Sequence, residues 1–145
     1  MGFETVIASD VKLEKIQVPA GEYVFQLSPG AEERVNKYNG ITELNLSAAV
    51  AEGEQAGKRV FWTYPDPTAI GKNSGKPLAF SAQAMKKLEI ALGIDSNPGE
   101  TFPEYFRRVA GARFGATLAT QTYVKDGVEV VSDPKFQIFS VKAAA

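Results

Sequence analysis

The stretch Gly57-Lys58-Arg59-Val60-Phe61-Trp62-Thr63-Tyr64 sets two cations at the start of an aromatic strand and runs into a Pro/Gly/Lys loop that reaches Pro77. Successive strand side chains point to opposite faces, so Val60, Trp62 and Tyr64 share one side and Arg59, Phe61 and Thr63 the other. One side feeds a core and the other is free to meet a ligand. A cation beside an aromatic ring on a strand suits single-stranded nucleic acid, whose bases stack and whose phosphates are neutralised by cations. The competing reading is that Phe61, Trp62 and Tyr64 all fill the interior, where aromatics contribute large buried area.

Upstream, Val18-Pro19-Ala20-Gly21 starts a strand in which Tyr23, Phe25 and Leu27 alternate with Val24 and Gln26, and Ser28-Pro29-Gly30 interrupts or bends it. A second strand is expected from Ile41 to Val50, with Leu44, Leu46, Ala48 and Val50 on one face and Glu43, Asn45 and Ser47 on the other. Asn39-Gly40 between them is a tight-turn signal, so the two should pair as a hairpin. The aromatic stretch is then the third strand of an antiparallel run.

Downstream, the segment from Pro65 to Pro77 has the composition of an exposed loop. Its Gly71-Lys72-Asn73-Ser74-Gly75-Lys76 has three residues between the glycines, and Pro77 stands where a phosphate-binding loop needs Ser or Thr. Nucleotide hydrolysis is therefore set aside. Ser81 is placed to cap a helix to about Leu92, with Ala84, Met85, Leu88, Ala91 and Leu92 as its apolar stripe and Gly93 past its end. Thr101 and Glu104 form a capping-box pattern for a shorter helix from Pro103 to Ala110. Strands are expected at 113–124 and at 135–141, with 128–131 a short strand or loop edge after a Lys125-Asp126-Gly127 turn.

Three antiparallel strands, a helix and further strands is the element order of the OB-fold, a five-stranded barrel. The expected fold is mainly β with one or two helices, an OB-fold-like antiparallel barrel with the helix between strands three and four. One domain over residues 1–145 accommodates it: a lead-in (1–17), a three-strand meander (18–64), a loop (65–79), a helical insert (80–111) and final strands (112–141). In such a barrel strands two and three form the usual binding face.

Composition narrows function. The chain has 145 residues, 44% of them hydrophobic, with no Cys and no His. Disulfides and thiolate zinc sites are excluded, and the commonest general base and metal ligand is missing. No dense Asp/Glu cluster is present, so neither enzyme, cofactor nor metal is expected. Residues 1–57 hold four Lys/Arg against nine Asp/Glu and residues 58–145 hold twelve against eight, an asymmetry that permits a local basic surface. No apolar run is long enough to span a membrane, and Met1–Lys15 lacks the apolar core of a secretory signal, so a cytoplasmic location is expected.

The Pro19-Ala20-Gly21-Glu22-Tyr23 segment, Gly57 to Trp62, and Lys87-Leu88-Glu89-Ile90-Ala91-Leu92-Gly93-Ile94 together resemble a family of bacteriophage single-stranded-DNA-binding proteins. The likeness extends loosely over residues 18–141. It implies an OB-like fold, DNA rather than RNA as partner, a role in phage replication or recombination in the bacterial host cytoplasm, and no catalysis. Trp62 and Tyr64, with Tyr38 and Tyr123, are the candidates to stack bases; Trp and Tyr tolerate partial exposure better than Phe, which assigns Phe61 to the core. Lys37, Lys58, Arg59, Lys72 and Lys76 are the candidates to neutralise phosphate. Arg107 and Arg108 on the second helix are either solvated or further phosphate contacts. A homo-oligomer formed through an exposed strand edge is the accompanying expectation. The alternative function is a non-enzymatic interaction protein, a phage structural component or an inhibitor of a host factor.

Overall fold

Ser28-Pro29-Gly30 and Asn39-Gly40 divide the first half of the chain into more strands than the apolar alternation alone indicates. In the computed structural model, which describes residues 18–71 and 75–144, strand β1 (Gly21–Leu27) ends at the Pro-Gly bend and a short β2 (Glu32–Val35) follows. The chain then turns at Asn36–Gly40, where the Gly40 N–H donates to the Asn36 carbonyl and Gly40 takes φ 70°, and enters β3 (Thr42–Val50). The Asn-Gly hairpin thus joins β2 to β3 rather than β1 to β3. Strand β4 (Arg59–Pro65) is the aromatic stretch. Two helices, α1 (Phe80–Leu92) and α2 (Phe102–Arg108), precede β5 (Arg113–Ala119), the hairpin β6 (Thr122–Lys125) and β7 (Val128–Val131), and the short β8 (Lys135–Phe136) and β9 (Lys142–Ala143).

Strand β3 is paired along both edges, with β4 on one side and with β2 and then β1 on the other. β1 carries β5 on its far edge, and β5 carries β8 and β9. The order β4-β3-β1-β5-β8 is antiparallel throughout. No ladder joins β4 to β8 among the described residues, and the sheet is not a closed barrel. Its two ends meet through side chains instead, the Trp62 ring lying on Phe136 at 4.0 Å between centroids and 12° between planes. The described residues thus form nine strands and two helices, and four strands precede the first helix where three were expected.

The core lies on one face of this sheet. Phe25, Leu27, Leu44, Leu46, Trp62 and Phe114 are buried there, and α1 covers them with the stripe anticipated from its 3.6-residue period. Gly93, at φ 72°, ends α1 by donating its N–H to the Ile90 carbonyl. Ser81 is not the cap: α1 starts one residue earlier, at Phe80, and the fully buried Ser81 hydroxyl donates to the Pro65 carbonyl at 2.6 Å, pinning the helix to the end of β4. Thr101 does cap α2, its hydroxyl oxygen accepting from the Glu104 N–H at 3.4 Å, but the helix stops at Arg108.

The expected strand at 113–124 is broken between Ala119 and Thr122, and the expected strand at 135–141 keeps only Lys135–Phe136 before a turn leads to β9. Asp126 and Gly127, at φ 54° and 77°, form the anticipated tight turn between β6 and β7. No described helix is long and apolar enough to cross a membrane.

Because Trp62 holds the two ends of the sheet together from the inside, Trp62→Ala is expected to cost roughly 3–5 kcal/mol of stability. Phe61→Ala, one residue away on the outer face, is expected to change stability by about 0.5 kcal/mol or less. Urea unfolding followed by far-ultraviolet circular dichroism measures both, and a Trp62→Ala protein as stable as the parent contradicts the stacked seam.

Candidate nucleic-acid interface

Register decides which side of β4 faces outward. Leu46 pairs with Trp62, Leu44 with Tyr64 and Ala48 with Val60. Directly paired residues of an antiparallel ladder project to the same face. Since Leu44, Leu46 and Ala48 are buried, Val60, Trp62 and Tyr64 turn inward with them, and Arg59, Phe61 and Thr63 turn out beside Ala49, Ser47 and Asn45. Trp62 and Tyr64, expected as stacking residues, are core; Phe61, expected as core, is 71% exposed. The signal for the correct side was in β3: its Asn45/Ser47 face is the polar one, and the β4 set that joins it contains Arg59 and Thr63.

Burial pushes the Tyr64 phenol well above its ordinary pKa, and the Trp62 indole N–H opposes that rise only in part. Neither polar atom reaches hydrogen-bond geometry with a partner among the described residues. Tyr64 stacks on Phe106 of α2 and Trp62 also meets Phe114 edge-on. These contacts fix both rings as structure.

On the outer face, the Arg59 guanidinium carbon lies 5.4 Å from the centre of the Phe61 ring, a cation–π distance. Its Nη2 donates to the Ser47 hydroxyl at 2.8 Å, which orients the side chain across the two strands. A cleft lies on either side of this pair. One, of about 570 Å³, follows the seam between β4 and β8 and is bordered by Val18, Leu118, Lys135 and Phe136. The other, of about 530 Å³, crosses β3 toward β2 and is bordered by Pro29, Glu32, Asn45 and Thr63. An exposed ring with a cation over one face and open clefts beside it can accept a flat ligand on the face the cation leaves free.

The remaining candidates separate into two groups. Tyr38, 95% exposed, sits with exposed Lys37 at the turn between β2 and β3, where the Asn36 side chain holds the Tyr38 N–H. Tyr123 is half-exposed on the β6–β7 hairpin. Lys58 donates to the Gln55 side chain at 2.6 Å in the turn before β4. Lys76 is exposed and engaged with a partner, and Lys72 lies outside the described residues.

Arg107 and Arg108 do not join the face. α2 packs on the inward side through Phe106, opposite to Phe61. Arg107 Nε donates to the Ala31 carbonyl at 2.9 Å. Arg108 makes a two-pronged ion pair with Glu100, at 2.7 and 2.8 Å, donates to the Asp95 carbonyl and lies over the Tyr105 ring. Both arginines tie the loops around α2 together. The sequence reading also missed Lys135 at the rim of the seam cleft, which lies far from the aromatic strand in the chain and is brought there by β5–β8 pairing.

The Arg108 guanidinium, with the Asn97 N–H, holds the Glu100 carboxyl down at about 2. An unfolded Glu titrates near about 4.3, so the stabilisation is present above that pH and is lost as pH falls toward the folded value. Glu100→Gln is therefore expected to be less stable than the parent at neutral pH, with the difference vanishing near the acid end. Urea midpoints of both proteins across that window measure it, and a difference that persists unchanged at low pH contradicts the ion pair.

No protein-family model matches the chain, and no curated protein matches it in sequence.

Proposed function

We propose that this chain binds single-stranded nucleic acid, DNA in the first instance, across the outer face of β3 and β4, without catalysis. The observation that carries the proposal is Phe61: a large apolar ring in the middle of a strand, 71% exposed, with Arg59 held against it. Full exposure of such a ring costs hydrophobic free energy that a partner would recover. Stacked bases supply that partner, and Arg59 can meet the adjoining phosphate.

The strand order supports an OB-like frame for the site. Leaving aside the short β2, the order β4-β3-β1-β5-β8 with helices between β4 and β5 is that of an OB-fold opened along one seam. In that frame the binding face belongs to the second and third strands, here β3 and β4, and the flanking loops are those after the first and fourth. Lys37 and Tyr38 lie on the former and Tyr123 on the latter. The likeness to phage single-strand binders, with a role in replication or recombination, is proposed on the same basis.

A second reading is a non-enzymatic interaction protein that self-associates. The β6–β7 hairpin favours it, because Val124, Val128 and Val131 are largely exposed on two strands whose outer edges carry no ladder among the described residues. Light scattering after size exclusion, without nucleic acid, tests it directly; a monomer removes its support.

For the nucleic-acid proposal, anisotropy of a labelled single-stranded oligonucleotide is the measurement, since Trp62 is buried and its emission reports folding rather than contact. Phe61→Ala is expected to weaken binding roughly 5- to 150-fold, the equivalent of about 1–3 kcal/mol for one stacked base. With Arg59, Lys37 and Lys135 as the cations near the face, the logarithm of affinity should fall against the logarithm of salt with a slope of about −2. Duplex DNA is expected to bind more weakly. Absence of binding at low salt, or a Phe61→Ala protein that binds as the parent does, overturns the proposal.

A further inference from the structure

We infer that the cleft on the β2 side of Phe61 selects bases that present an exocyclic amine, cytosine and adenine, over bases that present a carbonyl at that position; the inference rests on the single-strand binding proposed above. Three polar side chains cross the sheet in one row, since Glu32 pairs with Asn45 and Asn45 pairs with Thr63. Paired residues share a face, and Thr63 stands two residues from Phe61 on the outward side of β4. The row therefore lies about 7 Å along the strand from the exposed ring. Both the ring and the row line the same cleft. A base stacked on Phe61 presents its edge to them.

The row is built to accept hydrogen bonds. Asn45 donates its Nδ2 to the Glu32 backbone carbonyl at 3.4 Å, which leaves its Oδ1 to accept. One Glu32 carboxylate oxygen, Oε2, accepts from Arg34 at 2.9 Å, and Oε1 has no partner among the described residues. A carboxylate and an amide carbonyl only accept. The Thr63 hydroxyl can do either and has no partner among the described residues. An amine such as cytosine N4 or adenine N6 supplies the donor these oxygens lack, whereas uracil or thymine O4 would bring a further acceptor against them. Arg34 keeps the Glu32 charge partly neutralised, which reduces its repulsion of the nucleic-acid backbone.

The experiment compares labelled oligo-dC and oligo-dU of equal length by anisotropy at neutral to mildly alkaline pH, where the amine and carbonyl at C4 distinguish the two bases. The native protein is expected to bind oligo-dC about fivefold more tightly, the low end of what base-edge contacts discriminate. Asn45→Ala with Glu32→Gln should bring the ratio to about one, and Glu32→Gln alone should lower it part of the way. Circular dichroism of each variant checks folding. Equal binding of the two oligomers by the native protein, or a ratio unchanged in the folded double variant, overturns base selection and leaves stacking on Phe61 standing. Absence of binding to both oligomers overturns the stacking proposal itself, and base selection with it.

Discussion

The register of β4 against β3 determines the rest of the molecule's surface chemistry. Leu46 opposite Trp62 puts the only indole of the chain into the core and the neighbouring Phe61 into solvent. A slip of one residue would reverse both, because side chains alternate with a period of two. What prevents the slip is β3, whose Leu44, Leu46, Ala48 and Val50 are buried in the core while Asn45 and Ser47 project to the other side. Exchanging those faces would bury the Asn45 amide, which is half-buried here, and expose the leucines. The exposed ring is therefore a consequence of the core, and the core would have to be rebuilt to hide it.

The same register explains the seam. The Asp66 N–H bonds the Thr42 carbonyl at one end of the β3–β4 ladder, and the Val50 N–H bonds the Lys58 carbonyl at the other. Antiparallel pairs alternate between bonded and non-bonded positions. Val60, Trp62 and Tyr64 thus spend their backbone groups on β3, while Arg59, Phe61 and Thr63 turn theirs toward the β8 side. β8 is only two residues long and begins after Pro134, which has no N–H to donate. Aromatic stacking of Trp62 on Phe136 closes the interior where a ladder is absent. The backbone polar groups of β4 are left along the 570 Å³ cleft, beside Phe61 and Arg59.

What could be read from the sequence was what depends on local pattern. The alternation in β3, the apolar stripe of α1, the glycine that ends it and the Asp-Gly turn of the β6–β7 hairpin all follow from periodicity or from φ requirements. Elements set by distant partners were not legible. β9 is two residues, Lys142–Ala143, recognisable only because β5 pairs with it. Ser81 has the chemistry of a cap, yet its hydroxyl is taken by the Pro65 carbonyl, sixteen positions away. The tolerance of Trp and Tyr side chains for water favours an outward Trp62 and Tyr64, a weak preference that the pairing with Leu46 and Leu44 overrides.

Charge shows how far composition can mislead about a binding surface. The half of the chain after Gly57 has an excess of cations, but several of them are occupied within the fold. Arg108 holds Glu100, Arg107 holds the Ala31 carbonyl, Lys86 holds Glu89, Lys87 reaches the Phe139 carbonyl and Lys142 pairs with Glu22. The helices therefore present no continuous basic stripe to a polyanion. Arg59 differs from these, because its partners are a hydroxyl and a ring that leave the positive charge uncancelled. Among the described residues, a nucleic acid meeting this protein would find Arg59 against Phe61 on the strand, with Lys37 and Lys135 nearby, instead of a positively charged channel. In the proposed binding, affinity on such a surface would come chiefly from ring faces, and electrostatics would mainly set where the first base lands.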